Sequence, residues 1–238
     1  MHEFMTPHEL PVTVDAVILA VRRGRLRVLL SRRAAPPYQG CWALPGRFIG
    51  RDESAEKTLR ILLQQMLPVT GAYLEQLYTF SAINRDPRGR VISIAYLVIL
   101  PGSDAAEQEA ANHPGMKSFA LRIDAGNLLL TSEDGTELAG SDLAFDHAGI
   151  LETSLRRLRG KIDYTDIAFH FLADQSSFSL SELQTVFEAV MDRPTDSSNF
   201  RRMIRNQYEK EGRVIRTEKE EKQGPGRPSV LYRFRPEP

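Results

Sequence analysis

In the stretch LPGRFIGRDESAEKTLRILLQQMLPV, residues 44–69, a Leu-Pro-Gly loop leads into a segment that opens with Asp52, Glu53 and Glu56, carries Arg60, and closes on Gln64-Gln65. Metal-dependent cleavage of a pyrophosphate needs several carboxylates close together, because Mg²⁺ takes hard oxygen ligands and shares them with the phosphates of its substrate. Adjacent glutamates at a helix end would serve. Here two glutamines stand in that place, with the shape of glutamate and none of its charge. Arg47, beside the loop, repels a cation and suits an anionic oxygen. Taken alone, Gln64 and Gln65 also fit a solvated helix face. The expectation is a phosphate site without its metal, so no catalytic residue, metal ligand or cofactor is assigned.

Two further clusters carry charge. NRDPRGRVISIAY sets Arg85, Arg88 and Arg90 around a tight turn shaped by Asp86 and Pro87. It reads either as a basic hairpin tip in solvent or as an anion site, since planar guanidinium forks pair bidentately with phosphate oxygens. Trp42 has two readings as well, a core residue or a ring stacked on a base. From Asp196 to Arg235, eleven Lys/Arg face six acids, a local excess of +5 in a chain with no net charge. Segregated positive charge is the footprint of a phosphate-backbone partner. Within SSNFRRMIRN, Phe200, Met203 and Ile204 are expected to face a core. Ser198, Asn199, Arg201, Arg202 and Arg205 are then left outward, as a helix entering a major groove requires. GPGRPSVLYRF places Arg227 and Pro228 at a turn, with Lys222 just before it; an Arg at such a tip suits a narrow minor groove.

These residues need elements to hold them. VTVDAVILAV (12–21) and RLRVLLS (25–31) are β-branched-rich runs around Gly24 and read as a hairpin. Residues 1–11 read as a loose arm. Ala55, Leu59, Leu62, Leu63 and Met66 form a stripe at helical spacing, with Asp52 as the expected N-cap and Pro68 as the stop. Residues 73–83 and 90–100 are expected strands, 101–115 a polar loop, and KSFALRI and NLLLTSEDGTEL further strands with a turn at Asp134-Gly135. After about residue 141 the pattern becomes helical. An amphipathic helix over DLAFDHAGILETSLRRLRG precedes a second helix over YTDIAFHFL. A third follows Ser179, with Glu182 completing a capping box, and a fourth is capped by Asp196. A basic two-stranded hairpin ends the chain. That order is a winged helix-turn-helix.

With 238 residues, 42% of them hydrophobic, the chain suits one large or two smaller domains. Its balanced charge advertises no polyanionic partner for the whole molecule. One cysteine, no secretory signal and no long apolar run point to a cytoplasmic protein with no membrane partner.

The segment after Pro45 resembles the Nudix box, G-x5-E-x7-R-E-U-x-E-E-x-G-U. Gly46, Asp52, Arg60 and Leu62 fit, whereas Ile61, Gln64, Gln65 and Leu67 depart from it. With DLAFDHAGIL…RLRGKIDYTDIAFHFL, FSLSELQTVFEAVM, RPTDSSNFRRMI and GRPSVLYRF in order, most of residues 12–235 resembles the Nudix-related transcriptional regulator family. The resemblance implies an α+β chain with an N-terminal Nudix-like α/β/α sandwich over residues 1–140, a connecting helix over 141–160, and a C-terminal winged helix over 161–238. It implies a homodimeric repressor on palindromic operator DNA, released by ADP-ribose or a related phosphorylated metabolite in NAD or sugar metabolism. It places Arg33, Arg47, Arg85, Asp86, Arg88, Arg90 and Ser93 near the effector, with Trp42 in its stacking reading. The rival is an active ADP-ribose pyrophosphatase with an accessory nucleic-acid-binding domain, using Asp52, Glu53 and Glu56 in a shifted metal site. A module whose C-terminal part contacts protein is a second rival.

Overall fold

The computed structural model describes residues 10–66, 71–102, 113–221 and 228–236. Most of the arm over 1–11, the Pro68 stop, most of the polar loop, Lys222 and Arg227 lie outside the described residues.

The first two runs form β1 (Val12–Arg22) and β2 (Arg25–Arg32), antiparallel across the turn at Gly24. Short β3 (Trp42–Ala43) and β4 (Gly46–Phe48) pair with β2 and β1. β5 (Tyr73–Phe80) and β6 (Ile92–Ile99) are antiparallel, and β6 lies parallel to β1. β7 (Met116–Asp124), β8 (Asn127–Ser132) and β9 (Glu137–Ala139) extend the sheet beyond β2. The nine strands run β5-β6-β1-β2-β7-β8-β9, with β3 and β4 attached at the side.

Alternation along β1 sends its side chains to two cores. Val14, Ala16 and Ile18 pack under helix α1 (Ala55–Met66) with Leu59 and Leu62. Val17 and Leu19 face the opposite layer, where helix α2 (His147–Lys161) contributes Ile150, Leu151, Leu155 and Leu158. The sheet thus lies between helices on both faces, as an α/β/α sandwich requires. The second core continues without a break into Phe169, Phe187, Val190 and Phe200 of the C-terminal region. Burying each such side chain contributes about 1.5–3 kcal/mol, so the connecting helix is fastened to both halves.

Three expectations about helices are corrected. The N-cap of α1 is Ser54, whose hydroxyl accepts the Lys57 N–H at 3.1 Å; Asp52 lies in the preceding turn, where Glu53 accepts the Gly50 N–H. The connecting helix starts at His147, because the preceding residues are bonded to the sheet: Ala144 N–H donates to the Trp42 carbonyl at 2.8 Å. The segment YTDIAFHFL forms a 3₁₀ helix over Asp166–Phe171. Its Ile167, Ala168, Phe169 and Phe171 are all buried, and the Phe171 carbonyl accepts the Gly102 N–H. An element buried at four of its six residues, whose final carbonyl is already taken, has no reason to lengthen.

Helix α3 (Leu180–Met191) carries the expected box, with Ser179 and Glu182 each accepting the other's backbone N–H. Helix α4 (Ser197–Ile204) is capped by Asp196 and runs on into a π turn over Arg205–Glu209. β10 (Phe178–Ser179), β12 (Ser229–Phe234) and β11 (Val214–Glu221) form a three-stranded sheet in that order. Among the described residues no helix is long and apolar enough to cross a membrane.

Candidate functional site: an arginine-rich cleft and a basic reading helix

A cleft of about 210 Å³ opens where β1, β4, the 81–91 turn and the start of α2 meet. It gathers Arg33, Arg47, Arg85, Asp86 and Arg88 from three places in the sequence. Ser93 lies beneath it, fully buried, donating its hydroxyl to Asp15 at 2.5 Å. Trp42 and Arg90 do not line it. Trp42 turns to the core edge-on to Phe119, and Arg90 donates to the Ser81 carbonyl on the outer surface. The aromatic surface at the cleft is Phe48 and Phe145, with Tyr38 against Phe145 at 4.9 Å between ring centres.

The floor is built on Asp15, the single acidic residue of β1. Arg85 donates to it at 3.4 Å and to both oxygens of Asp146 at 2.8 and 3.0 Å. The carboxylate of Asp15 lies against Gly46, where an added Cβ would also come within 2.9 Å of the Val14 carbonyl. Gly46 therefore has a steric reason to be glycine. His147 is buried beside them, and its Nδ1 accepts the Leu44 N–H at 2.8 Å. That bond leaves the hydrogen of a neutral ring on Nε2, which faces Asp15 Oδ1 at 3.9 Å. Burial pushes the His147 pKa down, so the ring is neutral near pH 7.

Most of the arginine charge is already engaged. Arg88 pairs with Asp86 at 2.6 Å, and that hydrogen bond holds the Asp86 carboxyl below its ordinary range. Arg47 reaches Glu53 at 3.3 Å. Glu53 is held low first by the Thr58 hydroxyl, at 2.9 Å, and then by the Gly50 N–H and by Arg47. Arg33 donates to the carbonyls of Pro37 and Ala35, and its guanidinium lies 4.6 Å from the Phe145 ring centre. Among the described residues it makes no ion pair.

The donor set does not fit a divalent cation. Glu53 is taken by Thr58 and Arg47, and Glu56 by Arg60 at 2.8 Å. Gln64 and Gln65 are exposed. No group of three or more Asp, Glu, His or Cys converges among the described residues. A larger groove of about 870 Å³ runs between β7–β9 and the end of α3. Its Arg25, Arg122 and Arg193 are matched by Glu137, Glu188 and Asp192, so it lacks the charge excess a diphosphate needs.

The second candidate surface is α4. Phe200 and Ile204 are buried, and Phe200 meets Phe187 of α3 edge-on at 5.2 Å. Ser198, Asn199, Arg201, Arg202 and Arg205 are exposed. Arg202 donates to Asn199 at 2.8 Å, and the three arginines make no ion pair among the described residues. Pro228 is exposed just before β12. Arg213 is one of the eleven cations counted, but it points inward, paired with Asp166 and stacked near Tyr208 and Phe234.

The model of the NrtR DNA-binding winged helix domain matches residues 168–234. Shewanella oneidensis NrtR, solved in complex with a 27mer DNA, superposes with a TM-score of 0.72 at 31% identity, over 94% of each chain. The chain belongs to the NrtR family of Nudix-related transcriptional regulators. A second NrtR-type relative is the ADPR responsive transcriptional repressor NtrR of Acinetobacter baylyi, 29% identical over 94% of this chain and 81% of that protein. The ADP-ribose pyrophosphatase of Methanocaldococcus jannaschii is 28% identical over 63% of this chain and 75% of its own. NrtR membership accounts for the order of elements, a Nudix-like sandwich followed by a winged helix.

Asp15, Asp146, His147, Phe48 and Phe145 were not nominated from the sequence. A signal existed for Asp15, because an isolated carboxylate inside an apolar strand needs a buried partner. None existed for Phe145, whose position depends on a left-handed backbone at φ +57°.

Proposed function

We propose that the chain is a transcriptional repressor whose Nudix-like cleft binds ADP-ribose, or a related phosphorylated metabolite, without hydrolysing it, and whose winged helix binds operator DNA. The observation that carries this reading is the pairing of two surfaces in one chain. One is a cleft of four arginines with no metal-binding carboxylate cluster among the described residues, and the other is α4 with the turn that continues it, whose three exposed arginines have no acidic partner among those residues. Arg33, Arg47, Arg85 and Arg88 are assigned to the diphosphate, Asp86 to orienting Arg88, and Ser93 to holding Asp15 in the floor. Ser198, Asn199, Arg201, Arg202 and Arg205 are assigned to the major groove, and Lys222, Arg227 and Pro228 to the wing. The effector part is taken as residues 1–140, the connecting helix as 141–160, and the DNA-binding part as 161–238. As a homodimer the protein would read a palindromic site, two α4 helices meeting two half-sites.

Release from the operator needs only that the ligand prefer an arrangement that DNA does not, and a coupling of a few kcal/mol is sufficient. Fluorescence anisotropy with DNA fragments selected from the genome tests it. The expectation is tight, sequence-selective binding, weakened by ADP-ribose. The hydrolase reading draws on the pyrophosphatase relative and on Asp52, Glu53 and Glu56. Against it stand the engaged carboxylates and the neutral Gln64 and Gln65. Gln64→Glu with Gln65→Glu is expected to leave release of AMP from ADP-ribose with Mg²⁺ or Mn²⁺ at background, because Ile61 and Arg47 still depart from the box. Brisk turnover in that variant would favour the enzyme.

A further inference from the structure

Three consecutive residues at the start of α2 are held by the cleft. Phe145 sits at φ +57°, a region that bulky side chains rarely enter. That conformation lays its ring 4.6 Å from the Arg33 guanidinium and 5.6 Å from that of Arg88. Asp146 occupies the N-cap of α2, where an aspartate ordinarily accepts an N–H of the first turn. Here it makes no side-chain capping bond and gives both oxygens to Arg85. His147 is fastened to Leu44 in the loop of the eroded box.

We propose that Asp146 is the coupling residue of this regulator: its carboxylate either pairs with Arg85 or caps α2, and an anion entering the cleft drives it from the first position to the second. The proposal rests on the reading of the cleft as an effector site. Arg85 already serves two carboxylates, so a phosphate beside it brings a third anion to one cation. The carboxylate least committed to its place should leave. Asp15 is 9% exposed at its side chain and also takes the Ser93 hydroxyl at 2.5 Å, whereas Asp146 is 27% exposed and, among the described residues, its carboxylate is held by Arg85 alone. Once released, Asp146 stands at the positive end of the α2 dipole, beside the first-turn N–H groups that an N-cap carboxylate accepts. Arg33 and Arg88, drawn to the same anion, release Phe145 from its left-handed turn.

The far end of α2 carries the change to the DNA-binding region. Arg159 donates to the Val190 carbonyl at 2.8 Å, in the last turn of α3, against which α4 packs. Lys161 and Arg157 anchor the same end to Glu75 on β5 at 2.6 and 3.3 Å. Burial alone would raise the Glu75 pKa, but these partners and the Tyr73 hydroxyl hold it low, so the anchor stays charged near pH 7. A helix re-seated at one end and fastened at the other must shift α3.

Asp146→Asn separates the two positions, because asparagine caps a helix as well as aspartate does but cannot form the ion pair. ADP-ribose affinity, by calorimetry, is expected to rise at least about threefold. Operator affinity of the ligand-free variant, by anisotropy, is expected to fall about tenfold, so that the two affinities move in opposite directions as a shifted two-state equilibrium requires. Asp146→Glu keeps the charge and caps poorly, so it should hold DNA when ADP-ribose is added. A merely damaged fold would weaken both ligands. Two weakened affinities, or two unchanged ones, in Asp146→Asn would overturn the proposal. Wild-type protein that takes up no ADP-ribose would instead overturn the effector reading, and the ligand-free operator affinity of Asp146→Asn still decides whether Asp146 governs α2.

Discussion

The two arginine-rich surfaces of this chain differ in what their charges already hold. In the cleft Arg85 is buried between Asp15 and Asp146, Arg88 closes on Asp86, and Arg47 reaches Glu53. On α4 the guanidinium groups stand in solvent without acidic partners among the described residues. A ligand entering the cleft must therefore exchange partners, and that exchange can move the backbone. DNA meeting α4 exchanges only counterions and water. One surface is built to respond and the other to bind.

The contrast breaks most readily at Arg85. Arg85→Ala leaves two carboxylates around an empty buried space and is expected to cost about 3–5 kcal/mol in urea unfolding. Arg202→Ala, on the open surface, should change stability by less than about 0.5 kcal/mol. Equal costs would erase the distinction.

Gly46→Ala comes next. Its methyl group must displace the Asp15 carboxylate and crowd the Val14 carbonyl as well, so about 1–3 kcal/mol of stability should be lost. The same urea titration checks it, and an unchanged midpoint would mean that the floor yields easily.

For α4, Arg202→Ala should weaken operator binding by about tenfold and lower the slope of log affinity against log salt by about one. A variant that keeps both values would show that Arg202 stands away from the phosphates and bases.

The smallest effect is a pH dependence. Burial sets the His147 pKa in the folded chain below its ordinary 6.5, so the unfolded chain binds a proton first as pH falls. The stability from neutral His147 is complete above about pH 6.5 and drains away below it, by at most about 1.4 kcal/mol per pH unit. His170, also lowered by burial, adds a similar slope. His147→Gln should leave only the His170 part between pH 7.5 and 5.5, and an undiminished slope would place the protonation elsewhere.

The sequence made α4 legible to its outward face, because Phe200, Met203 and Ile204 at helical spacing leave one orientation for the arginines between them. The capping box at Ser179 and Glu182 and the strands around Gly24 and Asp134-Gly135 were equally readable, since each depends on neighbours only. The cleft was half legible. Arg33, Arg47, Arg85, Asp86 and Arg88 were nominated and converge, but their partners were hidden. Asp15, Asp146 and His147 come from β1 and from either side of the α2 start, and only the sheet order unites them. Trp42 was open between core and stacking, and the structure sets it against Phe119. The 3₁₀ turn at Asp166–Phe171 read as an ordinary helix because its apolar residues carry no mark of the contacts that stop it.

The most direct measurement is an anisotropy titration of the wild-type protein on its selected operator fragment, with and without saturating ADP-ribose. Tight, sequence-selective binding that weakens at least about fivefold with ADP-ribose is the predicted result, within the usual range of allosteric coupling. Selective binding that is indifferent to ADP-ribose, although the ligand is shown by calorimetry to occupy the protein, would contradict it.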